Sequence, residues 1–269
     1  MNTPYFLVEP KGKKAPVILS VPHSGVEFPE ELKPQYRPEM AAQPDDTDWF
    51  VHKLYDFVAT ELGITVIHAR YSRWVIDLNR DPESKPLYDD GRIITGLTPS
   101  TDFLGNEIYL EKRFVPDDKE TERRLANYYR PYYQKIESLL AERIEEFGRV
   151  LLWDAHSIRR FVPTIRKEPF PDLILGDNDE QSADKEIIEI ALNNLRAGKY
   201  ELNHNTPFKG GHITRHFGKP EIGVHALQLE MAKINYMNDD ELTFDENRAE
   251  KVRKVLRPVF EQLISHLTK

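Results

Sequence analysis

Val150-Leu151-Leu152-Trp153 runs directly into Asp154-Ala155-His156-Ser157, and the pattern has a twin upstream, where Pro16-Val17-Ile18-Leu19-Ser20-Val21 runs into Pro22-His23-Ser24-Gly25. Continuous buried-type runs of this length, rich in β-branched residues, read as strands covered on both faces, as in the parallel sheet of an α/β protein. In open sheets of that class, ligand-binding and catalytic groups sit just beyond the carboxyl ends of the strands. Two histidines placed there can meet in space although they are distant in sequence. Imidazole is the commonest protein ligand for zinc, so the pair predicts a hydrolytic metal site. One such histidine alone would read as a strand cap bonded to nearby backbone; two in matching contexts read as a site.

Outward from these strands the chain alternates between strand and helix signals, with no linker or repeat. A Pro-rich loop over 28–44 leads to Asp45-Asp46-Thr47-Asp48, which reads as a helix N-terminus ahead of Trp49, Leu54, Phe57, Val58 and Leu62 at helical spacing. Gly63 ends that helix, Ile64 to Ile67 reads as the next strand, and Trp74-Val75-Ile76 as another short one that delivers Asp77-Leu78-Asn79-Arg80. Residues 81–114 are turn-rich, as expected of a functional lid or flap. Residues 117–147 read as one long helix bent near Pro131. Strands at Leu173–Leu175 and Val224–Glu230, a helix over about 183–197 and a final helix from Asp245 towards His266 complete the pattern. The expectation is one α/β domain over 1–269, with a mostly parallel, mixed central sheet and helices on both faces.

Composition agrees and removes other classes. With 39% hydrophobic and 30% charged residues, the chain of 269 is globular and long enough for a well-buried core. A formal net charge of -8 argues against a general nucleic-acid binder, which needs a basic surface. There is no cysteine, so a transition-metal site must use His with Asp or Glu. No signal-peptide profile and no apolar run of membrane-spanning length is present, so the expectation is a cytoplasmic protein, monomeric or a small homo-oligomer, that does not bind membranes.

Further groups fall where this layout puts a site. Glu230 ends an alternating apolar strand, at the same sheet edge as the two histidines, where a carboxylate can act as general base beside a metal. Alone it would read as a solvated strand-end charge. Arg80 offers a planar fork of donors for a carboxylate, with Asn79 as a further donor; otherwise Arg80 would brace the adjacent loop. Arg73 can carry positive charge towards a developing oxyanion or serve as a surface ion pair. The stretch Phe208-Lys209-Gly210-Gly211-His212-Ile213-Thr214-Arg215-His216 joins glycines that admit a ligand close to backbone with donors from Lys209, His212, Thr214 and Arg215. It reads as a wall for an anionic substrate, or else as a basic turn. It lacks the order of a Walker loop.

Five stretches, taken together and in order, resemble the N-formylglutamate amidohydrolase family: Leu19 to Gly25, Asp46 to Trp49, Tyr71 to Arg80, Leu152 to Arg159, and Phe208 to His216 followed by Leu227 to Glu230. The resemblance covers nearly the whole chain. It implies a zinc-exopeptidase-like α/β fold, one Zn2+ ion, and hydrolysis of the small anionic N-acyl amino acid N-formyl-L-glutamate to formate and L-glutamate, a late step in one bacterial route of histidine degradation. By similarity to the wider zinc carboxypeptidase and aspartoacylase group, His23 and His156 correspond to metal ligands, Asn79 and Arg80 to a carboxylate-binding pair, Arg73 to a transition-state arginine and Glu230 to the base. Those relatives take a third ligand three residues after the first histidine, where this chain has Val26, which cannot bind metal. Asp48 is the preferred substitute, with Asp46 and Glu27 as alternatives. Asp154 is expected to orient His156 or another of the ligands. Two rivals stand beside this reading: a hydrolase of another N-acyl amino acid, succinyl- or acetyl-Glu/Asp, and a non-catalytic protein of the same fold that captures anionic ligands.

Overall fold

The computed structural model describes residues 2–83 and 96–269. Its strands are β1 (Tyr5–Val8), β2 (Val17–Val21), β3 (Thr65–Ala69), β4 (Val150–Ile158), β5 (Leu173–Gly176), β6 (Leu202–His204) and β7 (Val224–Ala232). They form one seven-stranded sheet in the order β1-β3-β2-β4-β7-β5-β6. The central strands β3, β2, β4 and β7 pair parallel, as do β5 and β6, while β1 and β5 join antiparallel to β3 and β7. The expected mostly parallel, mixed α/β sheet is present.

The chain leaves β2 for β3 on one side and later enters β4 on the other. The carboxyl ends of β2 and β4 therefore bound the crevice at which this kind of sheet opens. Register sets the two histidine-bearing strands side by side, with Ile18 opposite Leu152 and Ser20 opposite Asp154.

Helices cover both faces. On one side lie α2 (Val51–Leu54), α3 (Asp56–Glu61), α6 (Lys185–Arg196) and α8 (Glu246–Leu267), packed on Val17, Leu19, Val21, Leu151, Trp153, Ala155, Leu227, Leu229 and Met231. On the other side α5 (Arg130–Phe147) and α7 (His212–Phe217) pack on Ile18, Leu152 and Ala226, near the start of each strand. The short α1 (Pro38–Ala42) and α4 (Asp118–Arg124) complete the helices named here. Among the described residues, no helix is long and apolar enough to cross a membrane.

Three elements differ from the sequence expectation. Trp74–Ile76 is a buried turn rather than a strand: Val75 N donates to Ser72 O, and the Trp74 indole turns inward to Asp46. No sheet position was open to it, because β1 and β2 already flank β3. The single helix expected from Asp45 is a tight turn followed by α2 and α3, with Phe50 in the left-handed region at φ 61°. The carboxylates of that turn are held by distant partners instead of capping a helix. The long helix expected over 117–147 is interrupted just before Pro131 by a π-turn over Leu125–Tyr129, between α4 and α5. Proline lacks an N–H and its ring crowds the carbonyl four residues back, which the wider π-turn relieves. Of the expected lid over 81–114, residues 81–83 and 96–114 are mostly irregular, with isolated bridges and a 3-10 turn at Lys112–Phe114, and residues 84–95 lie outside the described residues.

Candidate active site

His23 leaves the end of β2 and His156 stands near the end of β4, with ring centroids 4.8 Å apart. The turn after α1 brings Asp48 between them: its Oδ2 is 3.0 Å from His156 Nδ1 and 3.7 Å from His23 Nδ1. Backbone fixes this approach, since Asp48 N donates to His23 O at 2.9 Å. The three side chains offer ligand atoms within 4.8 Å of one another, all buried.

The outer nitrogens decide what the inner ones can do. His23 Nε2 lies 2.7 Å from Asp77 Oδ1, and His156 Nε2 lies 3.0 Å from Asp154 Oδ2. A carboxylate can only accept, so His23 Nε2 carries the hydrogen and its Nδ1 lone pair points inward. His156 has a carboxylate at both nitrogens, with Asp48 Oδ2 3.0 Å from Nδ1, and carries a proton on each unless a metal ion takes the place of the inner one. Carboxylate–histidine pairs of this kind orient metal-binding imidazoles. His23 Nδ1 is buried and has no hydrogen-bond partner among the described residues, as an imidazole kept for a ligand would be. The set could hold one metal ion with His and carboxylate donors.

Charge at the site follows from the same contacts. Burial opposes charge on His156, but Asp154 and Asp48 outweigh it and raise its pKa well above the ordinary value. Burial and then Arg73 push His23 down to about 4. Burial works to raise the Asp48 pKa, yet His156, His23 and Arg73 leave it lowered. The pocket therefore favours a cation among the three, either a proton shared by His156 and Asp48 or a metal ion.

Asp77 is the hub on the other side. Beyond holding His23, its second oxygen accepts from Arg73 Nη2 at 2.5 Å and lies 3.7 Å from Arg80 Nη1. Burial alone would raise its pKa, but Arg73 and Arg80 carry it well below the usual range. Arg73 is buried with its guanidinium against the Phe103 ring, 4.8 Å from the centroid, and its Nε has no partner among the described residues. Arg80 is partly exposed at the rim.

Glu230 is in register with His156 on the neighbouring strand β7, so both side chains leave the same face of the sheet. Burial is the main cause that raises its pKa to about 8; His156 works the other way. A carboxyl in that range exchanges protons near neutral pH, as a general acid or base must.

Other expected site residues are placed differently. Asn79 is buried: Oδ1 accepts from Ile213 N at 2.8 Å, and its amide nitrogen donates to Asp154 Oδ2 and Gln228 Oε1 at 3.4 Å. Its amide nitrogen also lies 3.0 Å from His156 Nε2, so Asn79 ties α7 to the strand carrying His156 at the edge of the ligand group. Gly211 makes this possible, because a Cβ there would stand 2.3 Å from Asn79 Nδ2. Lys209 turns to the surface, where its ammonium meets Asp179 at 2.7 Å. Thr214 is fully buried against Gly210. His212 stacks on His216, 5.3 Å between centroids, and Arg215 Nε donates to Gly210 O. So only part of the 208–216 stretch borders the site. The alternatives to Asp48 are engaged elsewhere: Asp46 accepts from Trp74 Nε1 and Phe103 N, and Glu27 pairs with Arg70 at the surface.

Asp77, Gln228 and Lys233 were not singled out in the sequence. Gln228 accepts from Gly211 N at 2.8 Å, and buried Lys233 donates to Asp45 O, bracing the Asp48 turn. Gln228 had a findable signal, a polar residue two before Glu230 in an otherwise apolar alternation. Asp77 sat inside a stretch already quoted, and only its contacts reveal its weight.

Comparison with known proteins bears on the whole chain. A sequence profile described as N-formylglutamate amidohydrolase matches residues 15–237. The N-formylglutamate deformylase of Pseudomonas aeruginosa is 41% identical over 258 residues, covering 95% of each chain. That of Pseudomonas putida is 39% identical over 255 residues, covering 94% of this chain and 93% of its own. Among solved structures, the N-formylglutamate amidohydrolase of Ralstonia eutropha JMP134 superposes with a TM-score of 0.80 at 25% identity, covering 97% of this chain and 98% of the other. A protein of Agrobacterium tumefaciens at 17% identity shares the fold, with a TM-score of 0.76 over 100% of this chain and 97% of its own.

Proposed function

The chain belongs to the N-formylglutamate amidohydrolase family, and from that premise we propose that it hydrolyses the formyl amide bond of N-formyl-L-glutamate, releasing formate and L-glutamate. The observation that carries the chemistry is Glu230, held in register beside His156 and buried enough to bind and release a proton near pH 7.

His23, Asp48 and His156 would hold one zinc ion. Bound there, zinc would supply Lewis acidity and lower the pKa of water from about 15.7 towards 7. Glu230 takes the proton of the attacking water and then delivers it to the departing amine of glutamate. Positive charge at the three-ligand site draws the Glu230 pKa down towards neutrality. Arg73, with an unpaired Nε in a buried setting, is placed to balance negative charge on the former carbonyl oxygen. Arg80 binds one substrate carboxylate from the rim, with Asn79 as the residue that fixes its segment. Arg215 and His212, in α7, are the candidates for the second. Asp77 and Asp154 hold both imidazoles in the ligating tautomer.

The absence of cysteine suits a reducing cytoplasm. Residues 1–269 would act as one catalytic domain, and histidine breakdown is the setting that the substrate suggests. The decisive assay measures formate released from N-formyl-glutamate, alongside hydrolysis of the acetyl and succinyl derivatives of Glu and Asp, with zinc counted by elemental analysis. We expect one zinc per chain and preference for the formyl-glutamate substrate. A zinc-replete protein that releases no formate would sink this reading.

A further inference from the structure

Tyr129 and Tyr133 stack face to face, with centroids 4.2 Å apart and ring planes 12° from parallel. Both are buried, and both hydroxyls point at the same short segment. Tyr133 donates to the Leu78 carbonyl at 2.8 Å, and Tyr129 donates to the Arg80 carbonyl at 2.9 Å. Together they clasp Asn79 from both sides. The π-turn over Leu125–Tyr129 ends at the first of these tyrosines, so the widened turn directs Tyr129 onto the segment. Isolated π-turns within helices are frequent at functional sites.

The same pair reaches the second segment. Tyr133 packs on α7, with its ring 5.3 Å from Phe217, 5.5 Å from His216 and 6.0 Å from His212. From the other side, Asn79 Oδ1 accepts from Ile213 N of α7. Two segments that are distant in sequence, Leu78–Arg80 and α7, are thus held in one frame by Tyr133 and Asn79. Under the proposed function these segments carry the groups for the two carboxylates of the substrate.

We infer that Tyr129 and Tyr133 are positioning residues that set the spacing between the two carboxylate-binding segments and so select a dicarboxylate of fixed length. The inference rests on the proposed reading that Arg80 and α7 bind those carboxylates. Both hydroxyls are spent on backbone carbonyls of the Leu78–Arg80 segment and not on His23, Asp48, His156 or Glu230. Their effect is expected in substrate binding and selectivity, not in the chemical step.

The test uses Tyr129→Phe, Tyr133→Phe and the double variant, each of which keeps the stacked rings and removes only hydroxyls. One lost hydrogen bond of ordinary strength corresponds to roughly a fivefold change. We expect KM for N-formyl-glutamate to rise about fivefold in each single variant, kcat to stay within about twofold, and zinc content to be unchanged. N-formyl-norvaline, which lacks the side-chain carboxylate, should show a smaller rise in KM, so that selectivity between the two narrows. An unchanged KM would overturn the inference, and so would equal losses on both substrates or a fall confined to kcat. Arg80→Ala, run in parallel, separates the two levels. If it leaves KM unchanged, the carboxylate reading fails. If it raises KM while the tyrosine variants do not, only the role of the tyrosines fails. If the double variant does not fold, the single variants decide.

Discussion

The two faces of the central sheet are built from alternate residues of the same strands, yet they do different things. One face is apolar through its centre, with Val17, Leu19 and Val21, then Leu151, Trp153 and Ala155, then Leu227, Leu229 and Met231, and turns polar only at Ser157 near the end of β4 and His225 near the start of β7. The other face starts in the same way, with Ile18, Leu152 and Ala226, and then turns polar. Ser20, Asp154, His156, Gln228 and Glu230 follow at the next positions on that face. Helices α5 and α7 cover only its apolar half. A pleat that points successive side chains to opposite sides lets one strand serve a core and a site at once. The site is where the second face stops being a core.

The sharpest way to break this comparison is at Glu230. Glu230→Gln keeps shape and removes the proton carrier, so turnover should fall by about 10²–10⁴, the usual contribution of a general acid–base. Metal content should be unchanged. Activity near wild type in a metal-replete preparation would remove Glu230 from the chemistry. The ionised carboxylate is the active form, so kcat/KM should climb with pH along an acid limb. That limb should lie between the ordinary value of 4.5 and the buried value of about 8. A profile that is flat from pH 5 to 8 would contradict it. The same raised pKa makes the metal-free protein lose stability as pH rises through that window, because the native state holds a proton that the unfolded chain releases. Glu230→Gln should abolish this contribution to the slope in urea titrations at several pH values.

Trp153 and Asp154 are neighbours in sequence on opposite faces, which makes them a matched pair. Trp153 is fully buried and meets Phe260 edge-on at 5.1 Å. Trp153→Ala should cost about 3–5 kcal/mol of stability, the range for a large aromatic removed from a core. The metal site should survive in whatever fraction stays folded. Asp154→Asn should do the reverse. It weakens the partner of His156 Nε2 and should lower zinc affinity about 10–100-fold, while the urea midpoint moves little. If both substitutions acted mainly on stability, the division between the faces would be false.

This division explains what could be read without a structure. His23, His156 and Glu230 were legible because each interrupts an apolar strand at its end, and strand ends in such sheets are where chemistry gathers. Asp48 was reachable only through resemblance, since nothing in Asp45 to Asp48 says which carboxylate turns inward. The outcome depends on distant partners, Arg159 for Asp45 and Trp74 with Phe103 for Asp46. The basic stretch over 208–216 shows the same limit. Lys209 and Thr214 have the chemistry of an anion wall, but one lies in a surface ion pair and the other is packed beneath a glycine. Charge type is a property of the residue, whereas direction belongs to the fold. The edge strands β1 and β6 went unnoticed because short, half-buried segments carry too few residues to show a period.

The smallest expected effect lies on the boundary itself. Ser20 is the first polar residue on the second face of β2, fully buried, with Oγ 3.0 Å from the Tyr132 hydroxyl. It sits one step below the site and touches none of its groups directly. In Ser20→Ala the Tyr132 hydroxyl loses this neighbour but keeps the Ile67 carbonyl within 3.4 Å. A buried hydroxyl that retains one acceptor loses less than one left with none, so the cost should be about 0.5–1.5 kcal/mol. Because α5 still covers this half of the face, neither zinc content nor KM should move. A clear loss of metal in Ser20→Ala would place the border of the site one residue earlier, inside what is read here as core. A change confined to the urea midpoint would fix the border between Ser20 and His23, level with the step from Asp154 to His156 on β4.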